Sequence, residues 1–381
     1  MFYNGVTDKG NIPPASAHAK APNRGRKLNR KLFTVGPVHV DPEILKAQTR
    51  PMITHRSKEY KALHSSVIER LKKMLDTDME IFLIAGSASA FLEGAVRNGV
   101  KSNVLGITNG SFGDRWIEIS KANGKDVKEI RVPWGKAIVP EAIEGAVDSS
   151  IEAVHFVSNE SSTGVLSPLG DMIDAIKKQN DPLIFVDGVT SVAATDLKLK
   201  KNHVDALIFG SQKALGLPPG IGFIAVSENL MKKAKEVPNR GFYTDLIKIK
   251  KNNDDGSTLT TSPVSLVYAL DLQLDKMLAE GMAARYKRHN EMAKLVRKWS
   301  AKLYGMLPEE KYSSDTIGVL NRGDLDFDKF HASLKSKGYE ISNGYGEVKQ
   351  RTFRIGHMGD IKPADVKELL SVMDKTLEEF K

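Results

Sequence analysis

The chain has no cysteine, which removes disulfides, thiolate metal ligands and thiol nucleophiles from consideration together. It has no uninterrupted apolar run near the roughly 18 residues that a membrane helix requires, so no span is expected. Its nine histidines include no HExxH or paired-ligand spacing, and His55, His155, His203 and His357 fall in unrelated segments, so no metal centre is expected. His155 lies inside an apolar run and reads as a core residue. Acidic residues are almost missing from the first 40 positions, where Asp8 alone faces Lys20, Arg24, Arg26, Lys27, Arg30 and Lys31. Such a bias suits a targeting segment, but Pro13, Pro14, Pro22 and Gly25 break any amphipathic helix and no apolar stretch forms a secretory signal. The expected location is the cytoplasm.

What is present is ordinary for a soluble globular protein: 381 residues, 41% hydrophobic and 27% charged, enough for two or three structural units. The formal charge of +9 favours anionic partners, whether a small acidic substrate, a phosphate or nucleic acid. Its basic residues are spread out, with short clusters at 24–31, 198–201 and 248–251, and no zinc-finger or RNA-binding signature accompanies them. Small-molecule ligands are therefore expected rather than nucleic acid.

Residues 1–28 are rich in Pro, Gly, Asn and Ala without periodicity and read as a flexible lead-in. Beyond them, short apolar runs alternate with helical patterns: IFLIA at 81–85, NVLGIT at 103–108, EAVHFVS at 152–158, LIFVD at 183–187 and DALIFG at 205–210. That rhythm predicts an α/β domain with a mainly parallel sheet. GIGFIAVS at 220–227 follows too closely for a helical crossover and is expected to run antiparallel. Past Pro263 the pattern changes to one long helical stretch over about 264–304, weaker strands near 315–320 and 351–356, and a closing helix ADVKELLSVMDKTLEEF. The expected division is a large α/β domain over 29–275, whose first residues contribute to the small domain, and a small α+β domain over 276–381.

In open α/β sheets ligands sit beyond the carboxyl ends of the strands, and four runs end in polar chemistry. After IFLIA comes GSASAFLEG, where Gly86, Ser87, Ala88 and Ser89 offer either a phosphate cradle at a helix start or a plain N-cap. After EAVHFVS come Asn159, Glu160, Ser161 and Thr163, a polar cluster or a turn capping the next helix. Asp187 ends an apolar strand, where a buried carboxylate needs a cation, a donor or a capping role. One strand later stands Lys213, in GSQKALGLPPG. A lysine held in an apolar pocket loses pKa and becomes nucleophilic. A lysine, a buried carboxylate and a helix-borne phosphate site together are the means of holding pyridoxal 5′-phosphate.

In NESSTGVLSPL, LIFVDGVTSVAA and FGSQKALGLPPG, and more loosely from LFTVGPVHVDPEIL at 32 to RIGHMGD at 354–360, the sequence resembles the class V pyridoxal-phosphate aminotransferases. It is most similar to their alanine–glyoxylate and serine–pyruvate branch. The resemblance implies a fold type I architecture, with a mainly parallel seven-stranded sheet in the large domain, and a homodimer with shared active sites. It also implies transfer of an amino group from alanine or serine to glyoxylate or pyruvate. Lys213 would bond the cofactor aldehyde and carry the proton at Cα, while Asp187 would hold the pyridine nitrogen protonated. Ser87, Ala88, Ser89 and Gln212 would take the phosphate, Ser161 the phenolic oxygen, and Phe112, in TNGSFGDRW, would stack on the ring. Arg354 would grip the substrate carboxylate, and Thr261 would reach a partner's cofactor phosphate.

Two departures stand out. Relatives carry a tyrosine three residues before the threonine, where this chain has Thr258. ITHRSKEY at 53–60 carries His55 and Arg56, a pair similar to the phosphate-binding pair of phosphoserine aminotransferases, so phosphoserine with 2-oxoglutarate is the alternative substrate pair. Arg56 is otherwise expected to pair with Glu59 or Glu93. Cysteine desulfuration, which uses the same fold, needs a thiol that this chain lacks.

Overall fold

The structure is a computed structural model that describes residues 30–380; the lead-in expected at 1–28 lies outside the described residues. The chain runs β1 (Lys31–Phe33), α1 (Pro42–Ala47), α2 (Lys58–Leu75), β2 (Glu80–Ala85), α3 (Ser89–Gly99), β3 (Asn103–Thr108), α4 (Ser111–Ala122) and β4 (Asp126–Arg131). It continues through β5 (Ala153–Val157), the short pair β6 (Asn159–Glu160) and β7 (Val165–Leu166), α5 (Leu169–Lys177), β8 (Leu183–Asp187), β9 (Ala206–Gly210) and β10 (Ile221–Val226). The remainder is α6 (Glu228–Glu236), α7 (Leu246–Asp254), α8 (Val264–Glu280), α9 (Met282–Ser300), β11 (Ile317–Asn321), α10 (Phe327–Ser336), β12 (Tyr339–Asn343), β13 (Thr352–Gly356) and α11 (Pro363–Glu378).

Seven strands form one sheet in the order β2-β10-β9-β8-β5-β3-β4. All neighbours pair in parallel except β10, which is antiparallel to both β2 and β9. The inner strands are apolar throughout because both faces are covered. Alternate residues enter opposite cores: Ile81, Leu83 and Val186 join one, and Phe82, Ile84 and Phe185 the other, as the two-residue period of a strand requires. The carboxyl ends of β2, β3, β5, β8 and β9 consequently share one edge, and the strand ends and the segments that follow them carry Ser87, Phe112, Ser161, Asp187 and Lys213.

A four-stranded sheet, β1-β12-β13-β11, makes a second core with α9, α10 and α11 around Phe33, Val296, Phe330, Phe353 and Leu369. Sequence periodicity missed three strands of these two sheets, besides the two-residue strands β6 and β7. β4 (DVKEIR) and β12 (YEISN) alternate charged with apolar residues and are only half buried, and β1 has three residues. The single helix expected over 264–304 is two. Gly281, at φ +81°, ends α8 and begins α9, a left-handed conformation that glycine adopts at little cost. The exchange between cores falls there as well: Val267, Leu270 and Met277 of α8 pack in the large core, while Met292, Val296 and Trp299 of α9 pack in the small one. Among the described residues no helix is long and apolar enough to cross a membrane.

Candidate active site

At the carboxyl edge of the large sheet lies a cavity of about 190 Å³, lined by Ser87, Ala88, Ser89, Phe112, Ser161, Asp187, Gln212 and Lys213, with Arg115, Asn159 and Thr190 among their neighbours. Eight residues separated by up to 126 positions thus meet in one place because five strands end at one edge. A larger groove of about 980 Å³, around Lys72, Glu80, Lys232 and Lys250, contains none of them.

Lys213 follows β9 in a turn closed by Gly216 N–H donating to the Lys213 carbonyl at 2.8 Å. The residue is 9% exposed, and its amine donates to the Val35 carbonyl at 2.7 Å; no carboxylate bonds it. Burial, and then the Arg354 charge, bring its pKa down to about 8, with Asp187 opposing. The backbone at 35–36 approaches so closely that a Cβ on Gly36 would stand 2.8 Å from the lysine Nζ. Gly36 also has a φ of +132°, which few other residues adopt.

Asp187 ends β8 and is 4% exposed. Its Oδ1 accepts from the Val189 amide at 2.8 Å, a local turn closure, and no side-chain donor reaches it. Burial drives the carboxyl up to about 7, with the Val189 bond opposing and the Glu160 charge assisting. Glu160 is fully buried and spoken for: its carboxylate accepts from the amides of Phe112 and Gly113 at 3.1 Å, the Ser162 amide at 3.0 Å and the Ser162 hydroxyl at 2.6 Å. Burial raises its pKa, and these donors offset part of the rise. It therefore caps α4, the preceding helix, rather than the following one, and fixes Phe112 at the cavity wall.

At the start of α3, the amides of Ser87, Ala88 and Ser89 find no acceptor within the described chain, the usual condition of an open helix start. Asn159 donates to the Thr190 carbonyl and the Thr316 hydroxyl, while its Oδ1 is buried without a partner. Arg354, on β13 of the small sheet, is 8% exposed. It donates to the carbonyls of Asn343 at 2.9 Å and Ser161 at 3.2 Å, and burial lowers its pKa to about 10.

Four singled-out residues do not line this cavity: Arg354 only borders it, through its bond to the Ser161 carbonyl, and Thr261, His55 and Arg56 lie away from it. Thr261 is exposed and absent from the lining. His55 and Arg56 also stand apart. The Arg56 guanidinium donates to the Ser257 hydroxyl at 2.8 Å and the Thr258 carbonyl at 3.0 Å, so the expected ion pair with Glu59 or Glu93 does not form. Glu93 holds Arg97 instead. His155 is buried, neutral with its pKa lowered to about 3 by burial, and stacked on Trp116.

Some contributors escaped sequence reasoning. Arg285, 1% exposed, donates to the Ala214 carbonyl at 2.8 Å, the Ala193 carbonyl at 3.0 Å and Asp360 at 3.1 Å, bracing the turns that follow Lys213 and Asp187. Nothing in its basic helical surroundings, RYKRHNEMAKLVRKW, distinguishes it from a solvated residue. Arg115 and Tyr345 were equally inconspicuous.

Comparison with known proteins agrees with this geometry. Residues 45–345 match the family model described as aminotransferase class-V. An uncharacterized aminotransferase of Methanocaldococcus jannaschii is 35% identical, over 93% of this chain and 94% of that protein. The serine–glyoxylate aminotransferase of Methylorubrum extorquens is 33% identical, over 87% and 86%. Among solved structures, an aspartate aminotransferase of subgroup IV from Thermus thermophilus superposes with a TM-score of 0.85 at 26% identity, covering 91% of this chain and 99% of that one. With a family model matched over residues 45–345 and a relative 35% identical over 93% of the chain, the chain belongs to the class-V aminotransferases.

Proposed function

We propose that this aminotransferase works with pyridoxal 5′-phosphate and moves an amino group from alanine or serine to glyoxylate or pyruvate in two half-reactions. One observation carries the reading: a single cavity holds a buried amine with its pKa lowered to about 8 and a buried carboxyl with its pKa raised to about 7, neither with an ion-pair partner. The cavity is short of partners in the way such a cofactor would remedy. Asn159 Oδ1 is buried without a donor, three helix-start amides lack acceptors, and Asp187 lacks a cation.

In this reading Lys213 bonds the cofactor aldehyde, Asp187 faces the ring nitrogen, and Ser87, Ala88, Ser89 and Gln212 hold the phosphate at the positive end of α3. Phe112 would pack on the ring, and Ser161 would bond its phenolic oxygen. The bound cofactor supplies an electron-withdrawing ring that stabilises negative charge at the substrate Cα. The Lys213 amine would accept the proton from the substrate Cα as a general base and return it as an acid, a task for which a pKa near 8 suits neutral pH. Arg354 has a guanidinium edge left for the α-carboxylate. Thr261 serves a second copy in a homodimer, and His55 and Arg56 would reach a substrate only in the same way. The likeness to the serine–glyoxylate enzyme of Methylorubrum extorquens supports the choice of substrates.

The test is spectroscopic. Protein incubated with the cofactor should acquire a visible band that borohydride abolishes and that Lys213→Ala never develops. Alanine or serine should convert the spectrum, and glyoxylate or pyruvate should restore it. A protein colourless in excess cofactor sinks the reading; turnover confined to phosphoserine with 2-oxoglutarate would move the substrate assignment to His55 and Arg56.

A further inference from the structure

Arg115 lies on α4, close to one helical turn beyond Phe112, and lines the same cavity as Lys213. It has no carboxylate partner among the described residues. Adjacent Asp114 is taken by Arg131 at 2.8 Å, and Glu160 is occupied by four donors. Its guanidinium carbon sits 4.8 Å from the Phe112 ring centre, and its one polar contact is the Tyr345 hydroxyl at 3.5 Å. Tyr345, in the loop between β12 and β13, is stacked on Phe112 with centres 5.8 Å apart and planes at 13°. The Arg354 guanidinium carbon stands 5.2 Å from the Tyr345 ring centre. Two rings, one from the first turn of α4 and one from a loop of the small sheet, therefore separate two guanidinium groups, with Arg354 at the tyrosine's face and Arg115 at its hydroxyl.

The charge balance gives this arrangement meaning. The charged groups that bear on the Lys213 amine are Arg354, Asp187, Arg115 and Glu160. Glu160 is engaged by four donors at the start of α4, and Asp187 accepts only the Val189 amide, so neither carboxylate forms an ion pair with Arg354 or Arg115. Among the described residues the two guanidinium groups thus have no carboxylate in direct contact. A single α-carboxylate satisfies one of them.

We propose that Arg115 is a specificity-determining residue that receives the second carboxylate of a dicarboxylic amino acid or 2-oxo acid, with Tyr345 setting its distance from Arg354. This rests on the transaminase reading above, and adds a four- or five-carbon dicarboxylic amino acid or 2-oxo acid to the substrates that the site takes beside alanine or serine and glyoxylate or pyruvate. Planar two-pronged donors suit both carboxylates. A site built around two such donors rejects an analogue that leaves one of them unpaired.

The test is calorimetric binding of propionate, succinate and glutarate to the holoenzyme, with kcat and KM for aspartate, glutamate and alanine measured alongside. Succinate or glutarate should bind about 10- to 100-fold more tightly than propionate, the worth of one charge-assisted contact. Arg115→Gln should erase most of that advantage and lower the aspartate-to-alanine ratio of kcat/KM at least about tenfold, chiefly through KM. Arg115→Lys, which keeps the charge and loses the fork, should restore part of it, and Tyr345→Phe should lose a smaller part. The inference is overturned if the wild type shows no preference for either dicarboxylate. It is overturned equally if Arg115→Gln weakens propionate and succinate alike, since the residue then only buttresses Phe112. A holoenzyme that shows its visible band and turns over alanine yet lacks the preference defeats this inference alone; a missing band defeats the reading beneath it.

Discussion

Lys213 and Lys250 line two separate hollows, of about 190 and 980 Å³, and differ in everything but side chain. Lys250, in the larger groove, bonds Glu80 at 2.5 Å and Asp254 at 3.0 Å. Partial burial pulls its pKa down, and these two carboxylates outweigh the pull, so it ends above the ordinary lysine value. Lys213, in the smaller cavity, touches only a carbonyl and falls to about 8. Volume therefore does not mark the chemistry; the absence of a counter-charge does. A chain that surrounds one lysine with acids and keeps another from them has made one permanently charged and left the other able to react near neutral pH.

The contrast can be broken most severely at Lys213. Lys213→Ala should reduce transamination by at least about 10²- to 10⁴-fold without lowering the melting temperature of the ligand-free protein, because the lost amine was desolvated and made one hydrogen bond; a fall in stability with activity intact would refute the assignment. Next comes Asp187→Asn, expected to cost about 10- to 100-fold in turnover, the scale of one charge-assisted bond. The same variant has a pH signature. Because the folded carboxyl titrates at about 7 against an unfolded value of 3.8, its contribution is fully present below the unfolded value and is lost as pH rises towards 7. The melting temperature of the ligand-free wild type should therefore fall relative to Asp187→Asn between about pH 4 and 7.

A sharper comparison comes from labelling both lysines in one ligand-free sample with an amine-reactive reagent and following each by mass spectrometry. Lys213 should reach its half-maximal rate near pH 8 and Lys250 only above its ordinary value of 10.5; coincident midpoints would erase the distinction. The smallest effect belongs to Lys250→Met, which should shift stability by no more than about 1 kcal/mol and leave turnover unchanged, as thermal melts and a steady-state assay would record.

Strands with both faces covered were legible from sequence, because burial on two sides writes an unbroken apolar run. The β4 and β12 strands were not, since their half-exposed faces admit Lys128, Glu129 and Glu340 and dilute the pattern. Lys213 and Asp187 were readable as polar residues ending apolar strands. Contacts that bridge distant segments leave no such trace: Arg115 meets Tyr345 across 230 positions, and Arg56 meets Ser257 across 201. Glu160 shows an intermediate case, since its polar cluster was visible while the helix it serves was misjudged. Gly281 was hidden because helical periodicity persists on either side of it.

Arg285 has a further consequence. One guanidinium supplies the hydrogen bonds of the Ala193 and Ala214 carbonyls and also meets Asp360, so three loops far apart in the chain depend on a common donor. Opening any one of them exposes that donor to water and orphans acceptors in the others, which penalises each loop for moving alone. Amide protons of the three loops should accordingly exchange with solvent at a shared rate, as a single cooperative unit.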